Sequence, residues 1–157
     1  MTQVPEPKVG MVVNYEYIWA RQFRDGFKPE DRVKVRPCAI LAVVEGKDDT
    51  TVYVAPMTHT APYHPERSIK LGEDTSERLR MNCNNTWLMV DEVNKFTWPG
   101  DSLRRVFNRQ PGGFCFGMLP EAVLRDAREK LKAFNANKAL SLVPRDAQAA
   151  RPMMRAG

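Results

Sequence analysis

The chain has few of the residues that bind metals or form disulfides, with only 3 cysteines and 2 histidines among 157 residues. Cys38, Cys83 and Cys115 are too few and too scattered for a disulfide framework, which favours a reducing compartment. Neither CxxC nor HExxH spacing occurs around them or around His59 and His64. We therefore expect small, buried, apolar cysteines and neither a metal nor another cofactor.

Long apolar runs are also absent. No stretch approaches the roughly 20 residues of a membrane span, and the first eight residues lack the apolar core of a signal peptide. The chain contains no glycine-rich phosphate loop, no alternation of strands and helices, and no GxSxG motif. These absences predict a cytoplasmic protein without a membrane partner, and they disfavour nucleotide-dependent and hydrolase-elbow chemistry.

Positive charge is distributed unevenly. The chain carries a formal charge of +5, but residues 1–100 have a net charge of −1 and residues 101–157 of +6. Within the first part, residues 21–36 have a net charge of +3 and little apolar periodicity, which predicts a long basic loop. Its cations before Arg36 are candidate RNA-binding residues: Arg21, Arg24, Lys28, Arg32 and Lys34.

The pattern of apolar residues predicts a mainly β fold with a C-terminal α-helix, arranged as a small, curved sheet or barrel. A continuous apolar run at 37–44 predicts a central strand buried on both faces, paired through the turn at Gly46 with a strand at 51–55. The prolines of 56–65 predict irregular structure. Further strands are expected at 10–17, 68–71, 86–90, 93–98 and 112–117.

A single long helix is predicted to begin at Pro120-Glu121. Its apolar stripe comprises Val123, Leu124, Ala127, Leu131 and Phe134, and its opposite face is charged, which is more typical of a solvated surface than of a nucleic-acid helix. The domain organisation follows: an N-terminal extension at 1–8, one domain at 9–135, and a loosely ordered tail at 136–157.

Two segments place candidate chemistry at one end of the predicted hairpin. Arg36 stands at the start of the apolar strand, where Pro37 fixes the chain direction, and Thr58 follows the neighbouring strand. If the turn at Gly46 pairs these strands, residue 37 lies near residue 56, so Arg36 and Thr58 share one end of the hairpin.

These residues belong to a set of motifs that resembles the MazF/PemK toxins of bacterial toxin–antitoxin systems. The resemblance covers roughly residues 9–134. Its motifs occur in the family's order: Gly10 opening the first strand, Lys34-Val-Arg-Pro37, Ala55-Pro-Met-Thr58 for the family's Pro-Ile-Thr, Val90-Asp-Glu-Val-Asn-Lys-Phe96 with Leu103, and Gly117-Met-Leu-Pro-Glu121 before the last helix.

The resemblance implies an SH3-like barrel that acts as a homodimeric, metal-independent endoribonuclease and is inhibited by a partner antitoxin. Arg36 and Thr58 match the catalytic pair of the family. Arginine suits phosphate, because its planar fork donates two hydrogen bonds and keeps its proton. Asp91 matches an acid that some members use, although Met89 replaces their basic residue two positions earlier, and Asp31 loosely matches an acid of the first loop.

Other residues near this pair have two interpretations each. His59 and His64 are candidate acid–base groups because imidazole titrates near neutrality, but a histidine among prolines also caps turns. Arg36 alternatively pairs with Asp31 or Glu92. Trp87 and Trp98 stack on bases or, as aromatics in strands more often do, pack in the core.

Two other functions remain open at this point. Relatives of the same fold poison DNA gyrase through a C-terminal segment, without an RNA-cleaving pair. A barrel without activity would instead retain nucleic acid through the basic segment 21–36. The expected partners are single-stranded RNA, an acidic antitoxin segment that covers Arg36, and a second copy of the chain.

Overall fold

The computed structural model describes residues 4–26, 33–81, 85–106 and 113–146. The predicted mainly β fold with one long C-terminal helix is confirmed. The strands are β1 (Met11–Glu16), β2 (Val35–Glu45), β3 (Thr50–Thr58), β4 (Ser68–Leu71), β5 (Thr86–Met89), β6 (Glu92–Thr97), β7 (Leu103–Arg104), β8 (Cys115–Met118) and β9 (Ser141–Pro144). The helices are α1 (Ala20–Arg24), α2 (Glu73–Arg78) and α3 (Glu121–Ala136), and a 3-10 turn spans Pro65–Arg67.

Three antiparallel strands form the centre of the sheet, in the order β1, β2, β3. Strand β3 continues into two branches, because β6 pairs with its first half and β5 with its last two residues. Strands β7 and β8 both pair with β1, and β4 pairs with β5. Strands β2 and β3 therefore lie in the middle of the sheet, and they carry Arg36 and Thr58 at one end.

The central strands are buried on both faces, as the apolar run at 37–44 predicts. Ala39 and Leu41 of β2 join a core cluster packed against α3, whereas Cys38 and Ile40 join a second cluster on the opposite face with Tyr15 and Phe96. Alternate residues of a strand point to opposite faces, so a strand between two cores needs apolar residues at every position.

Helix α3 lies on the first of these clusters along its predicted stripe. Ala127 is fully buried, and Val123, Leu124, Leu131 and Phe134 pack around it. At the other side of this contact, Gly10 has a φ of +97°, and a Cβ there would lie 3.1 Å from Cδ2 of Leu124. The glycine thus permits both the turn into β1 and the close approach of α3.

Two local expectations are wrong. Residues 56–58 continue β3 rather than begin an irregular segment: Pro56 sits opposite Cys38 and Thr58 opposite Trp87. A proline is accommodated here because β3 is changing partners at this point. Arg21 and Arg24 lie in α1, so the basic segment 21–36 does not begin as a loop. Residues 73–78, for which the sequence predicts no element, form α2.

Residues 136–146 differ from the loosely ordered tail expected over 136–157, and the rest of that expected tail lies outside the described residues. Helix α3 ends at Ala136, and residues 141–144 form β9, which pairs in parallel with β6. The side chain of Arg145 then donates hydrogen bonds to Oδ1 of Asn94 at 3.0 Å and to Oγ of Ser102 at 2.9 Å. The residues around β9 are mostly small or polar, so no local pattern predicts this strand. Its stability comes from distant partners.

No helix in the described part of the chain is long and apolar enough to cross a membrane.

Candidate active site

The register of β2 and β3 brings Arg36 and Thr58 together at one end of the hairpin, after a bulge between Ile40 and Ala42 shifts the pairing by one residue. Cys38 pairs with Pro56, and two residues further toward this end of the strands are Arg36 and Thr58. Both lie on the sheet face of Cys38, because side chains two residues apart share a face. They line an open cleft of about 650 Å³, together with His59, His64 and Asp91.

The guanidinium of Arg36 lies beside Trp19 and forms no ion pair with an acidic side chain of the described residues. Its Cζ is 5.0 Å from the ring centroid of Trp19, a distance typical of a cation–π contact. Its Nη1 donates only a long hydrogen bond of 3.5 Å to the carbonyl of Met57, and its buried Nε has no partner among the described residues. Arg36 therefore keeps donors available for an anion.

The anticipated ion pair between Arg36 and Glu92 does not form. Oε1 of Glu92 instead accepts hydrogen bonds from the hydroxyl of Tyr17 at 3.0 Å and from the backbone N–H of Ala20 at 2.9 Å, at the start of α1. Burial raises the pKa of Glu92, and these two donors partly oppose the rise. Asp31, the other expected partner, lies outside the described residues.

Thr58 lines the cleft with a hydroxyl that can donate a hydrogen bond. Its Oγ1 accepts a hydrogen bond from the backbone N–H of Thr60 at 3.1 Å. A hydroxyl that already accepts a bond retains its own hydrogen as a donor. Thr58 and Arg36 are thus two hydrogen-bond donors on facing strands.

His59 is held by one edge of its ring. Its Nδ1 lies 3.3 Å from the carbonyl oxygen of Asn85 and 3.2 Å from Oγ1 of Thr86. Its Nε2 has no hydrogen-bond partner in the described part of the chain. His64 is more peripheral: its Nδ1 lies 3.6 Å from Oε2 of Glu66, with both side chains more than half exposed.

Asp91 provides the acidic group of the cleft. Its side chain is 18% exposed, and Oδ2 lies 4.0 Å from Nη1 of Arg67, beyond hydrogen-bond distance. Oδ1 is buried and has no partner among the described residues. Burial raises the pKa of Asp91, and the positive charge of Arg67 only partly opposes the rise. A carboxyl with a raised pKa is a better proton donor near neutral pH.

The basic residues proposed for RNA binding are only partly in the described chain. Arg21 and Lys34 line the cleft, and Arg24 lines an adjoining smaller pocket that shares Arg21, Arg67 and Asp91 with it. Lys28 and Arg32 lie outside the described residues. The cations that are described therefore border the cleft that holds Arg36.

Trp87 and Trp98, the candidates for base stacking, do not line this cleft. Trp98 donates its indole N–H to the carbonyl of Pro5 and stacks on Phe96 of the core, and Trp87 lies beneath the ammonium of Lys70. Tyr63, at the cleft rim, is 99% exposed instead. Sequence reasoning missed Trp19, Tyr63 and Arg67, which reach the cleft from three separate segments that carry no shared motif.

No group of three or more histidine, cysteine, aspartate or glutamate side chains in the described ranges is arranged to hold a metal ion. Cys38 and Cys115 are free thiols, and Cys83 lies outside the described residues. Burial raises the pKa of Cys38 far above its ordinary value, so this thiol remains protonated.

Comparison of the chain with protein-family models, with curated proteins and with solved structures finds no match.

Proposed function

We propose that the chain is an endoribonuclease of the MazF/PemK kind, with an SH3-like barrel, that cleaves single-stranded RNA without a metal ion. The observation that carries the proposal is the position of Arg36 beside Thr58 in one open cleft, where its guanidinium forms no ion pair with a carboxylate of the described residues. A guanidinium with free donors and a hydroxyl with a free hydrogen match two oxygens of a phosphodiester. An arginine paired with a carboxylate would not be available in this way.

The chemistry needs only the groups that line the cleft. The ribose 2′-OH attacks the adjacent phosphorus, so a 2′-O–P bond forms, the P–O5′ bond breaks, and a 2′,3′-cyclic phosphate remains. His59 takes the proton of the 2′-OH on Nε2, and Asp91, whose raised pKa favours its protonated form, gives a proton to the leaving 5′ oxygen. Arg36 and Thr58 bind the phosphate as its negative charge increases.

The surroundings of the cleft suit a nucleic-acid strand. Arg21 and Lys34 supply positive charge on the approach to Arg36. The fully exposed ring of Tyr63 at the rim offers a face on which an unpaired base can stack. Double-stranded RNA does not expose its bases in this way, so the surroundings favour a single strand.

The toxin role rests on the same cleft. An acidic, partly disordered antitoxin segment would bind the cations around Arg36 and exclude RNA. A homodimer and a cytoplasmic location are further parts of the proposal, as the family resemblance implies.

Incubation of the purified protein with a long single-stranded RNA in the presence of a chelator tests the activity. We expect discrete cuts with 2′,3′-cyclic phosphate ends. The rate should fall by about 10²- to 10³-fold in Arg36→Ala, the usual cost of removing a donor to the transition state. Arg128→Ala, which removes the same charge from the exposed face of α3, is the matched control. Intact RNA across varied sequences would refute the proposal.

A gyrase-poisoning protein is separated from a nuclease by toxicity in cells. Arg145 and Asp146 bind the body of the protein, so the informative deletion removes only residues 147–157. A nuclease loses toxicity in Arg36→Ala and retains it in the deletion. The reverse pattern would indicate action through the C-terminal segment.

A further inference from the structure

We infer that Thr86 is a positioning residue that, with the carbonyl of Asn85, fixes the tautomer and orientation of His59 so that Nε2 faces the cleft as a base. The inference deepens the proposed function, because it assigns the origin of the basic nitrogen used there. Its starting point is the pair of oxygens beside Nδ1, at 3.3 Å from Asn85 and 3.2 Å from Thr86.

The chemistry of these two oxygens determines which nitrogen carries the proton. A backbone carbonyl accepts hydrogen bonds and cannot donate them, so its approach to Nδ1 is favourable only when Nδ1 bears a hydrogen. Oγ1 of Thr86 is then the second acceptor of the same N–H. In the neutral ring, the lone pair is consequently on Nε2.

His59 lines the cleft, so this tautomer provides a basic nitrogen at the proposed site. His59 directly follows Thr58 and lines the same cleft as Arg36. Nε2 has no partner among the described residues, whereas Nδ1 has two oxygens beside it. A histidine that serves only to cap a turn would not need its other nitrogen free of partners in a residue that lines the cleft.

The place of Thr86 in the fold makes it a rigid support. It is the first residue of β5, it is fully buried, and it pairs with Leu71 of β4. Its hydroxyl therefore cannot follow the ring into solvent. Comparable partners behind a functional imidazole change activity by about 10- to 100-fold when they are removed.

The direct test observes the ring and not the activity. The chain has only two histidines, so ¹⁵N imidazole spectra of the full-length protein give two sets of signals, and His64→Gln assigns them. We expect neutral His59 to carry its proton on Nδ1 in the wild type and in Thr86→Ser, which keeps the hydroxyl. In Thr86→Val, which replaces it with a methyl of similar size, the Nε2–H form should increase.

A mainly Nε2–H ring in the wild type would overturn the inference, as would identical tautomer ratios in the serine and valine variants. This readout does not depend on RNA cleavage, so it stands apart from any failure of the proposed function. Circular dichroism and urea unfolding of both variants establish that β5 is intact.

Kinetics supply the second arm. Thr86→Val should lower kcat for RNA cleavage by about 10- to 100-fold with little change in KM, and Thr86→Ser should remain near wild type. In a His59→Ala background, Thr86→Val should cost nothing further, because its effect passes through the imidazole. Additive losses in the double variant would show that Thr86 acts only through the fold.

Discussion

At the scale of single residues, the cleft combines two hydrogen-bond donors, Arg36 and Thr58, with the largely buried carboxyl of Asp91. Arg36 lies against Trp19, and within the described ranges neither its Nε nor the buried Oδ1 of Asp91 has a hydrogen-bond partner. A buried polar atom without a hydrogen bond is costly, so a site that retains two of them suits a polar ligand. The phosphodiester of the proposed reaction provides both an acceptor for Arg36 and a leaving oxygen for Asp91.

Asp91 should make the protein less stable as pH rises. Its carboxyl has a raised pKa in the fold because of burial, so the folded state binds its proton more tightly than the unfolded chain does. Stability is therefore lost as pH increases from about 4 through the pKa of the folded state. Asp91→Asn, which is neutral throughout, should unfold at higher urea than wild type at pH 8, with the difference disappearing at low pH.

Asp126→Asn is the control for that experiment, since Asp126 lies exposed on α3. It removes the same charge without a buried carboxyl and should leave the urea midpoint near wild type at both pH values. A midpoint of Asp91→Asn at or below that of wild type at pH 8 would mean that attraction to Arg67 outweighs burial.

At the scale of secondary-structure elements, local signals predict the strands and α3 but not the contacts among distant segments. The apolar run of 37–44 and the stripe of α3 identify elements with buried faces, and the turn at Gly46 joins β2 to β3. The register at Arg36 and Thr58 also depends on a bulge between Ile40 and Ala42, which no local signal indicates. By contrast, α1 carries few apolar residues. Its first N–H is satisfied by Glu92, 72 residues away, which no local pattern could indicate.

The same limit applies to the site. The hairpin places Arg36 and Thr58 at one end by local pairing, so the sequence suffices for that much, whereas the bulge between Ile40 and Ala42 sets them opposite each other. Arg67 reaches Asp91 from the 3-10 turn, and Thr86 reaches His59 across the β3–β5 branch. These contacts depend on how β3 changes partners at Pro56. The prolines of the segment predict irregular structure instead, so the sequence does not reveal this change of partner.

Gly10 is expected to be required where β1 meets α3. Gly10→Ala places a Cβ at a φ of +97° and 3.1 Å from Leu124, so we expect a loss of about 1–3 kcal/mol in the free energy of unfolding. Gly72→Ala is the matched control, because Gly72 has an ordinary φ and open space around it. Urea unfolding compares them, and equal stabilities would contradict the close approach of α3.

Arg145 is expected to stabilise the packing of β9 against the rest of the sheet. Its guanidinium donates to Asn94 and Ser102 and lies 5.1 Å from the ring of Tyr15. Arg145→Ala should lower the free energy of unfolding by about 2–3 kcal/mol, because charge-assisted hydrogen bonds are lost. The exposed Arg125→Ala should change it by less than about 0.5 kcal/mol. Equal losses of unfolding free energy in Arg145→Ala and Arg125→Ala would contradict a stabilising role of Arg145 at β9.

At the scale of the whole molecule, the net charge of +5 is a poor guide to the site. Much of the excess belongs to residues 101–157, including the exposed cations of α3, whereas Arg36 lies at the end of a hairpin in the nearly neutral part. The proposed function depends on the position of a few cations and not on their total. The charge of α3 therefore matters less than that of Arg21 and Lys34 beside the cleft.

The central claim is that the cleft cleaves RNA through the 2′-OH next to the cut. Its most direct test uses two oligonucleotides of identical sequence around a mapped cut, one all-ribose and one with a single 2′-deoxy nucleotide 5′ to the scissile phosphate. We expect cleavage of the first in chelator and an intact phosphate at the same position in the second. Cleavage of both at similar rates would contradict it.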